Sequence, residues 1–173
     1  MSASRVLLLF SLFVSTSCSG SNSSTAPSIA QLGGVWRGTL TTTSITGGEC
    51  LASILPPAIG FSQISAAVTQ TDSNVSVTTT DLSSGDSEKY SGTVGQSSAV
   101  LTWSSCTACS AVGLLCSNGA HRDLVKQSGT INATLNGSTL TGVDNEIYNV
   151  LVTGTQTSVG VLTTSGTFTV TRQ

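Results

Sequence analysis

The chain has 173 residues and few charges: Lys, Arg, Asp and Glu together make up 8% of it, and the formal net charge is −2. Such a surface offers little attraction to phosphate backbones, so we expect no nucleic-acid partner. Disordered chains usually carry a high net charge, and strong helix formers such as Glu and Lys are scarce here. The composition therefore favours one folded β-domain.

The N-terminal residues are typical of an export signal. Arg5 supplies a positive charge, and the apolar run at 6–14 (VLLLFSLFV) is too short to span a membrane. A polar stretch rich in Ser follows it, and such stretches are typical of flexible tethers. We predict a signal peptide at 1–17, a tether at 18–30 and a folded domain at 31–173.

Small residues stand immediately before Cys18, and here the segment resembles a bacterial lipoprotein signal. It departs from the usual pattern at Ser15, where such signals have Leu or another aliphatic residue. The resemblance implies that Cys18 is lipidated and anchors the protein in the membrane. Because Ser19 follows the cysteine, the resemblance favours the outer membrane or the cell surface. The alternative is ordinary cleavage after Ser17, which would give a secreted or periplasmic protein.

The rest of the chain has the alternation and turn signals of short β-strands, and no segment has a helical period. In the first strand, 35–43, Trp36 and Leu40 share a face with Gly38 between them. The further predicted strands are 64–71, 75–80, 89–94, 99–103, 127–135, 139–143 and 166–172. The segment 148–154 either adds one more strand or extends 139–143. Asn136-Gly137 is the strongest hairpin signal. The apolar segment 49–60, with two adjacent prolines, predicts a lid-like loop.

About eight strands joined mostly by tight turns predict an all-β fold, an up-and-down antiparallel β-barrel that closes to bury its edges. The alternative is a two-sheet β-sandwich, whose sequence signals overlap with those of the barrel. The interior of an eight-stranded barrel is either filled by side chains or holds one small ligand. The expected inward residues are Trp36, Leu40, Ile64, Leu101, Trp103, Ile131, Leu135, Phe168 and Val170.

The two ends of the predicted barrel carry a family resemblance. In the last strand Phe168 and Val170 share a face, and Arg172 is in phase with them, so its charge needs a partner or a place at the rim. A first strand with Gly34-Val35-Trp36 and a last strand ending in Arg172 resemble the calycin superfamily of lipocalins, fatty-acid-binding proteins and avidins. They also resemble the end strands of small bacterial lipoproteins.

That resemblance implies neighbouring first and last strands, with Arg172 stacked on Trp36 to close one end of the barrel. A guanidinium over an indole face contributes on the order of 0.5–2 kcal/mol. The alternative is that Trp36 is an ordinary core aromatic and Arg172 a surface charge.

Four cysteines remain besides Cys18, and an even number in an exported chain predicts two disulfides. Cys50 lies in the early apolar loop, and the other three lie in the predicted loop 105–119. At least one bridge must join the two loops if all four are paired. Among the three possible connectivities we favour Cys106–Cys116 with Cys50–Cys109. A weaker alternative is a zinc site formed by Cys106, Cys109, Cys116 and His121.

The sequence contains no recognisable catalytic motif. His121 is the single histidine, and no Gly-X-Ser-X-Gly elbow is present to hold a nucleophile. The acidic residues lie mainly near predicted turns. We therefore expect no enzyme and no cofactor. We expect an envelope lipoprotein, anchored in a lipid membrane, that holds a small apolar ligand. The alternative is a structural or protein-interaction module with a filled barrel.

Overall fold

The computed structural model describes residues 28–47, 50, 61–107 and 111–173. These residues form nine β-strands and contain no helix, so the all-β prediction is confirmed. The strands are β1 (Gly34–Gly47), β2 (Phe61–Thr71), β3 (Asn74–Asp81), β4 (Ser87–Val94), β5 (Ser98–Thr107), β6 (Val112–Leu115), β7 (His121–Asn136), β8 (Thr139–Val152) and β9 (Ser158–Arg172).

The sheet closes on itself as an antiparallel barrel. Strands β1 to β5 pair in chain order, as do β7 to β9, and β1 also pairs with β9. Strand β5 pairs with β7 and completes a ring of eight strands, while β6 lies outside the ring on the first residues of β7. The predicted up-and-down barrel of eight strands is therefore confirmed, and the sandwich alternative is wrong.

The structure gives several strands other bounds than those predicted, and it decides one alternative. The segment 148–154 extends the strand predicted at 139–143, which is one of the two alternatives, and together they form β8 because the polar residues between them remain in the ladder. The last strand begins at Ser158 and not at Gly166. The predicted loop 105–119 contains β6, whose four residues pair with β7 as a short hairpin.

The barrel core consists of alternate residues along the strands, as expected from the pleat. All nine predicted inward residues belong to it, from the fully buried Trp36 to partly buried Leu40. Small side chains are common on the same face, among them Ala66, Ala99 and Ala133. Their size leaves space inside the barrel.

Residues 28–33 cross one end of the barrel. The Ala30 amide donates to the Gly95 carbonyl at 2.9 Å, in the connection between β4 and β5. The Leu32 amide donates to Oε1 of Gln70 at 2.6 Å, and the Leu32 side chain is buried in the core. The packed domain thus begins no later than Ala30, and we call the end covered by this segment the closed end.

Two inward glycines allow neighbouring strands to approach closely. A Cβ at Gly38 would lie 1.9 Å from the Thr169 carbonyl oxygen on β9. A Cβ at Gly142 would lie 2.2 Å from the Asn132 carbonyl oxygen and 2.7 Å from the Phe168 ring. All of these distances are far shorter than van der Waals contact, so the neighbouring strands can lie this close only because positions 38 and 142 have no side chain.

Three predictions lie outside the described residues. They are the signal peptide at 1–17, lipidation of Cys18, and the lid-like loop at 49–60 apart from Cys50.

Candidate functional site

The barrel encloses a cavity of about 510 Å³. Towards the closed end its wall is apolar and includes Leu32, Trp36, Val68, Phe168 and Val170. Successive side chains of β1, β2 and β9 alternate between two faces. One face of each strand lines the cavity, and the other face, rich in Thr on β1 and β9, points outward. The cavity thus has an apolar floor at the closed end.

Further from the closed end, the cavity wall carries a buried ionic network centred on Lys126. Its Nζ lies 2.6 Å from Oε2 of Glu88 and 2.9 Å from the Tyr90 hydroxyl, and it also contacts Oε1 of Glu146. The Tyr148 hydroxyl donates to Glu146 at 2.6 Å. The Lys126 side chain is only 6% exposed, so the ion pairs lie in a weakly screened interior.

The two tyrosines of this network act as neutral donors. Burial raises the pKa of Tyr90 well above its usual range, and the nearby carboxylates of Asp144, Glu88 and Glu146 add to the effect. The pKa of Tyr148 is raised in the same direction, first by burial and then by Glu146. Both hydroxyls therefore keep their protons at any physiological pH.

Asp144 lies on the inward face of β8 between the apolar floor and the ionic network. It is 8% exposed, and its Oδ1 atom has no hydrogen-bond partner. Burial, together with the negative charge of Glu146, raises the pKa of Asp144 to about 7 although Lys126 opposes the shift. The buried indole Nε1 of Trp103 also lacks an acceptor. These two atoms are the unsatisfied polar groups of the cavity wall among the described side chains.

The charges that line the cavity are unbalanced. Among the described residues in its wall, five carboxyl groups face one ammonium group. The ammonium is that of Lys126, and the carboxyl groups belong to Asp81, Asp86, Glu88, Asp144 and Glu146. Asp86 is exposed and Asp81 is partly buried, whereas Glu88, Asp144 and Glu146 lie near Lys126, so the wall as a whole favours positive charge.

This polar cluster was not predicted from the sequence, because its acidic residues were expected near turns. The predicted strand ended at Val143, yet β8 continues, and Asp144 and Glu146 fall in phase with inward Leu140. That phase was the available signal. Lys126 gave no such signal, because a bulge between Lys126 and Ser128 shifts the inward phase along β7.

The structure brings Trp36 and Arg172 together at the seam between β1 and β9. The two residues are cross-strand partners, and the Arg172 guanidinium carbon lies 4.8 Å from the centroid of the Trp36 ring. Arg172 also donates to the Gln31 carbonyl oxygen, and the indole Nε1 of Trp36 donates to the Leu32 carbonyl oxygen at 2.8 Å. The stacked pair thus fastens the segment that covers the closed end.

The favoured disulfide connectivity is wrong, because Cys50 is bonded to Cys116. Cys116 is buried in the tight turn between β6 and β7, within the segment that was predicted to be a loop. The bridge joins the early and late cysteine segments, as expected. Cys106 is also disulfide-bonded, and Cys109 lies outside the described residues.

The zinc alternative loses a ligand to this bridge, since the Cys116 sulfur is bonded to Cys50. His121, the first residue of β7, is exposed. Among the described residues no group of three or more His, Cys, Asp or Glu side chains could hold a metal ion.

The fold and the cavity define a hollow, closed, eight-stranded antiparallel β-barrel, an architecture compatible with that of calycins. Comparison of the chain with protein-family models, with curated proteins and with solved structures gives no match. Within the part of the chain that the structure describes, no helix is both long enough and apolar enough to cross a membrane.

Proposed function

We propose that this protein is a binding module of the cell envelope that holds a small, largely apolar molecule inside its calycin-like barrel. The observation that carries the proposal is the cavity of about 510 Å³ above the apolar floor. Pockets for small molecules usually measure about 300–1,000 Å³ and combine an apolar lining with a few polar groups. The cavity has both properties, which supports the proposal over a filled barrel.

The proposed binding requires no chemistry from the protein. The members of the ionic network form hydrogen bonds with one another, and its tyrosines remain protonated. The network is therefore a fixed polar part of the cavity wall, opposite the apolar floor. We therefore retain the prediction that the protein is not an enzyme, and the ligand is expected to leave unchanged.

Two adjacent alanines on β2 allow a matched test. Ala66 faces the cavity and is buried, whereas Ala67 faces outward and is exposed. The neutral fluorescent probe N-phenyl-1-naphthylamine should bind the purified protein with enhanced emission. Ala66→Phe should abolish the enhancement by filling the floor, while Ala67→Phe should retain it. Equal binding by both variants would place the probe outside the barrel and refute the proposal.

We also propose, from the resemblance of the N-terminal segment to lipoprotein signals, that Cys18 carries the lipid that tethers the barrel to the outer membrane or cell surface. Labelled palmitate fed to expressing bacteria should be incorporated into the wild-type protein. Incorporation should be lost in Cys18→Ala. Equal labelling of both would exclude Cys18 as the acylated residue, and absence of labelling in the wild type would favour a secreted or periplasmic protein.

A further inference from the structure

We propose that the molecule held in the cavity is an amphipathic amine: an organic cation whose ammonium group contacts Asp144 and whose apolar body lies on the floor. This inference rests on the proposed binding function and adds the chemical class of the ligand.

The first observation is that no donor in the ionic network is left for Asp144. An ammonium group has three N–H donors. The three N–H groups of Lys126 already donate to Glu88, Tyr90 and Glu146. The Oδ1 atom of Asp144 remains without a partner although the residue is 8% exposed. A buried carboxylate in this situation gains most from a donor that is itself positively charged.

The second observation is the excess of negative charge. The wall has five carboxyl groups, of which Asp86 is exposed to solvent, and one ammonium group, so an anionic ligand would meet repulsion and a cation attraction. Three of these carboxyl groups, in Glu88, Asp144 and Glu146, lie close enough to influence one another. One added positive charge near Asp144 would oppose that repulsion.

The third observation is the position of Asp144 along the cavity. On the inward face of β8 it follows Leu140 and Gly142, and its cross-strand partners are Ile131 on β7 and Gly166 on β9. The four residue-to-residue steps from Leu140 to Asp144 span about 13 Å of strand. An ammonium group at Asp144 therefore leaves room for an apolar body that extends towards the closed end.

Binding of such a cation should depend on pH, because it requires ionised Asp144. The titratable groups that face Asp144 are Glu88 and Tyr90 on β4, Lys126 on β7, and Glu146 and Tyr148 on its own strand. Strand β9 presents Thr164 and Gly166 there, neither of which titrates. Since the pKa of Asp144 is about 7, affinity for an amine that stays charged should rise as the pH increases from about 5.5 to about 8.

Isothermal titration calorimetry with three ten-carbon probes tests the inference. The purified protein is titrated with n-decylamine, 1-decanol and decanoate near pH 8, below their aggregation concentrations. Decylamine should bind at least about tenfold more tightly than decanol, because a charge-assisted hydrogen bond is worth about 1.5–3 kcal/mol. Decanoate should bind most weakly.

Two matched variants locate the effect. Asp144→Asn should weaken decylamine binding about tenfold or more and leave decanol binding unchanged, which also shows that the cavity is intact. Asp72→Asn removes a charge from an exposed turn outside the cavity and should change neither. If decanol binds as tightly as decylamine, or if Asp144→Asn leaves decylamine binding unchanged, the ligand class is wrong and the proposed function stands. If none of the probes binds, both proposals fail.

Discussion

Asp144 should make the unliganded barrel less stable as the pH rises. In the folded protein its pKa is about 7, compared with an ordinary value of 3.8, because the carboxyl group is buried near Glu146. Between these two pH values the folded state holds a proton that the unfolded state has released. The free energy of unfolding therefore decreases as the pH increases through this window, and the loss is complete above about pH 7.

The size of the effect follows from the shift. A difference of about three pKa units corresponds to no more than about 4 kcal/mol at 1.36 kcal/mol per unit. Asp144→Asn removes the titrating group and keeps the shape of the side chain. The variant should match the wild type near pH 4 and exceed its stability near pH 8 by up to about 4 kcal/mol.

Urea unfolding followed by tryptophan fluorescence, at several pH values between about 4 and 8, measures this difference. Asp72→Asn is the control, because it removes an exposed acid and should give a difference that is small and independent of pH. If the stability difference between Asp144→Asn and the wild type is the same at pH 4 and pH 8, Asp144 does not titrate in the way that its burial requires.

Three further substitutions test the barrel itself by urea unfolding. Lys126→Met should destabilise the protein by about 3 kcal/mol, since it removes the buried cation from two partly buried carboxylates, whereas exposed Lys89→Met should have little effect. Equal effects of the two substitutions would show that the ion pairs do not stabilise the interior. Gly142→Ala should lower the free energy of unfolding by about 1–3 kcal/mol, because the new Cβ would collide with the backbone of β7. Gly113→Ala is the control, because a Cβ there has no neighbour within 4 Å. A neutral effect of Gly142→Ala would contradict the close approach of the strands. Arg172→Ala should cost about 1 kcal/mol through loss of the indole contact, and an unchanged midpoint would show that the contact contributes nothing.

The barrel could be predicted from sequence because its signals are local or lie at the chain ends. Alternation within each strand identified the inward faces, and Asn136-Gly137 marked one hairpin. Trp36 and Arg172 stand in the first and last strands, and the resemblance to calycins implied that these two strands meet at the seam. Each of these signals depends on a few neighbouring residues.

The polar part of the cavity could not be predicted in the same way. Its members come from β4, β7 and β8, and they meet only when the barrel closes. The bulge after Lys126 shifts its side chain into the interior against the phase of Ile131 and Ala133. Acidic residues within a strand also interrupt the apolar pattern that identifies strands.

The disulfide pairing failed for a related reason. Cys50 and Cys116 are separated by 66 residues, and their meeting depends on the β6–β7 hairpin. The four residues of β6 are too few to give a clear alternation. The favoured Cys106–Cys116 bridge lay within the predicted loop 105–119, where nothing in the sequence indicated the hairpin that holds Cys116.

The most direct test of ligand binding inside the barrel is the measurement of nuclear Overhauser contacts between 1-decanol and the isotope-labelled protein. If the ligand occupies the cavity, its alkyl protons should show contacts with the methyl groups of Ala66 and Ala133 and with the ring of Phe168, all of which line the floor. Contacts only with outward-facing side chains such as Val100 and Val161, or no contacts at all, would show that the barrel interior does not hold the molecule.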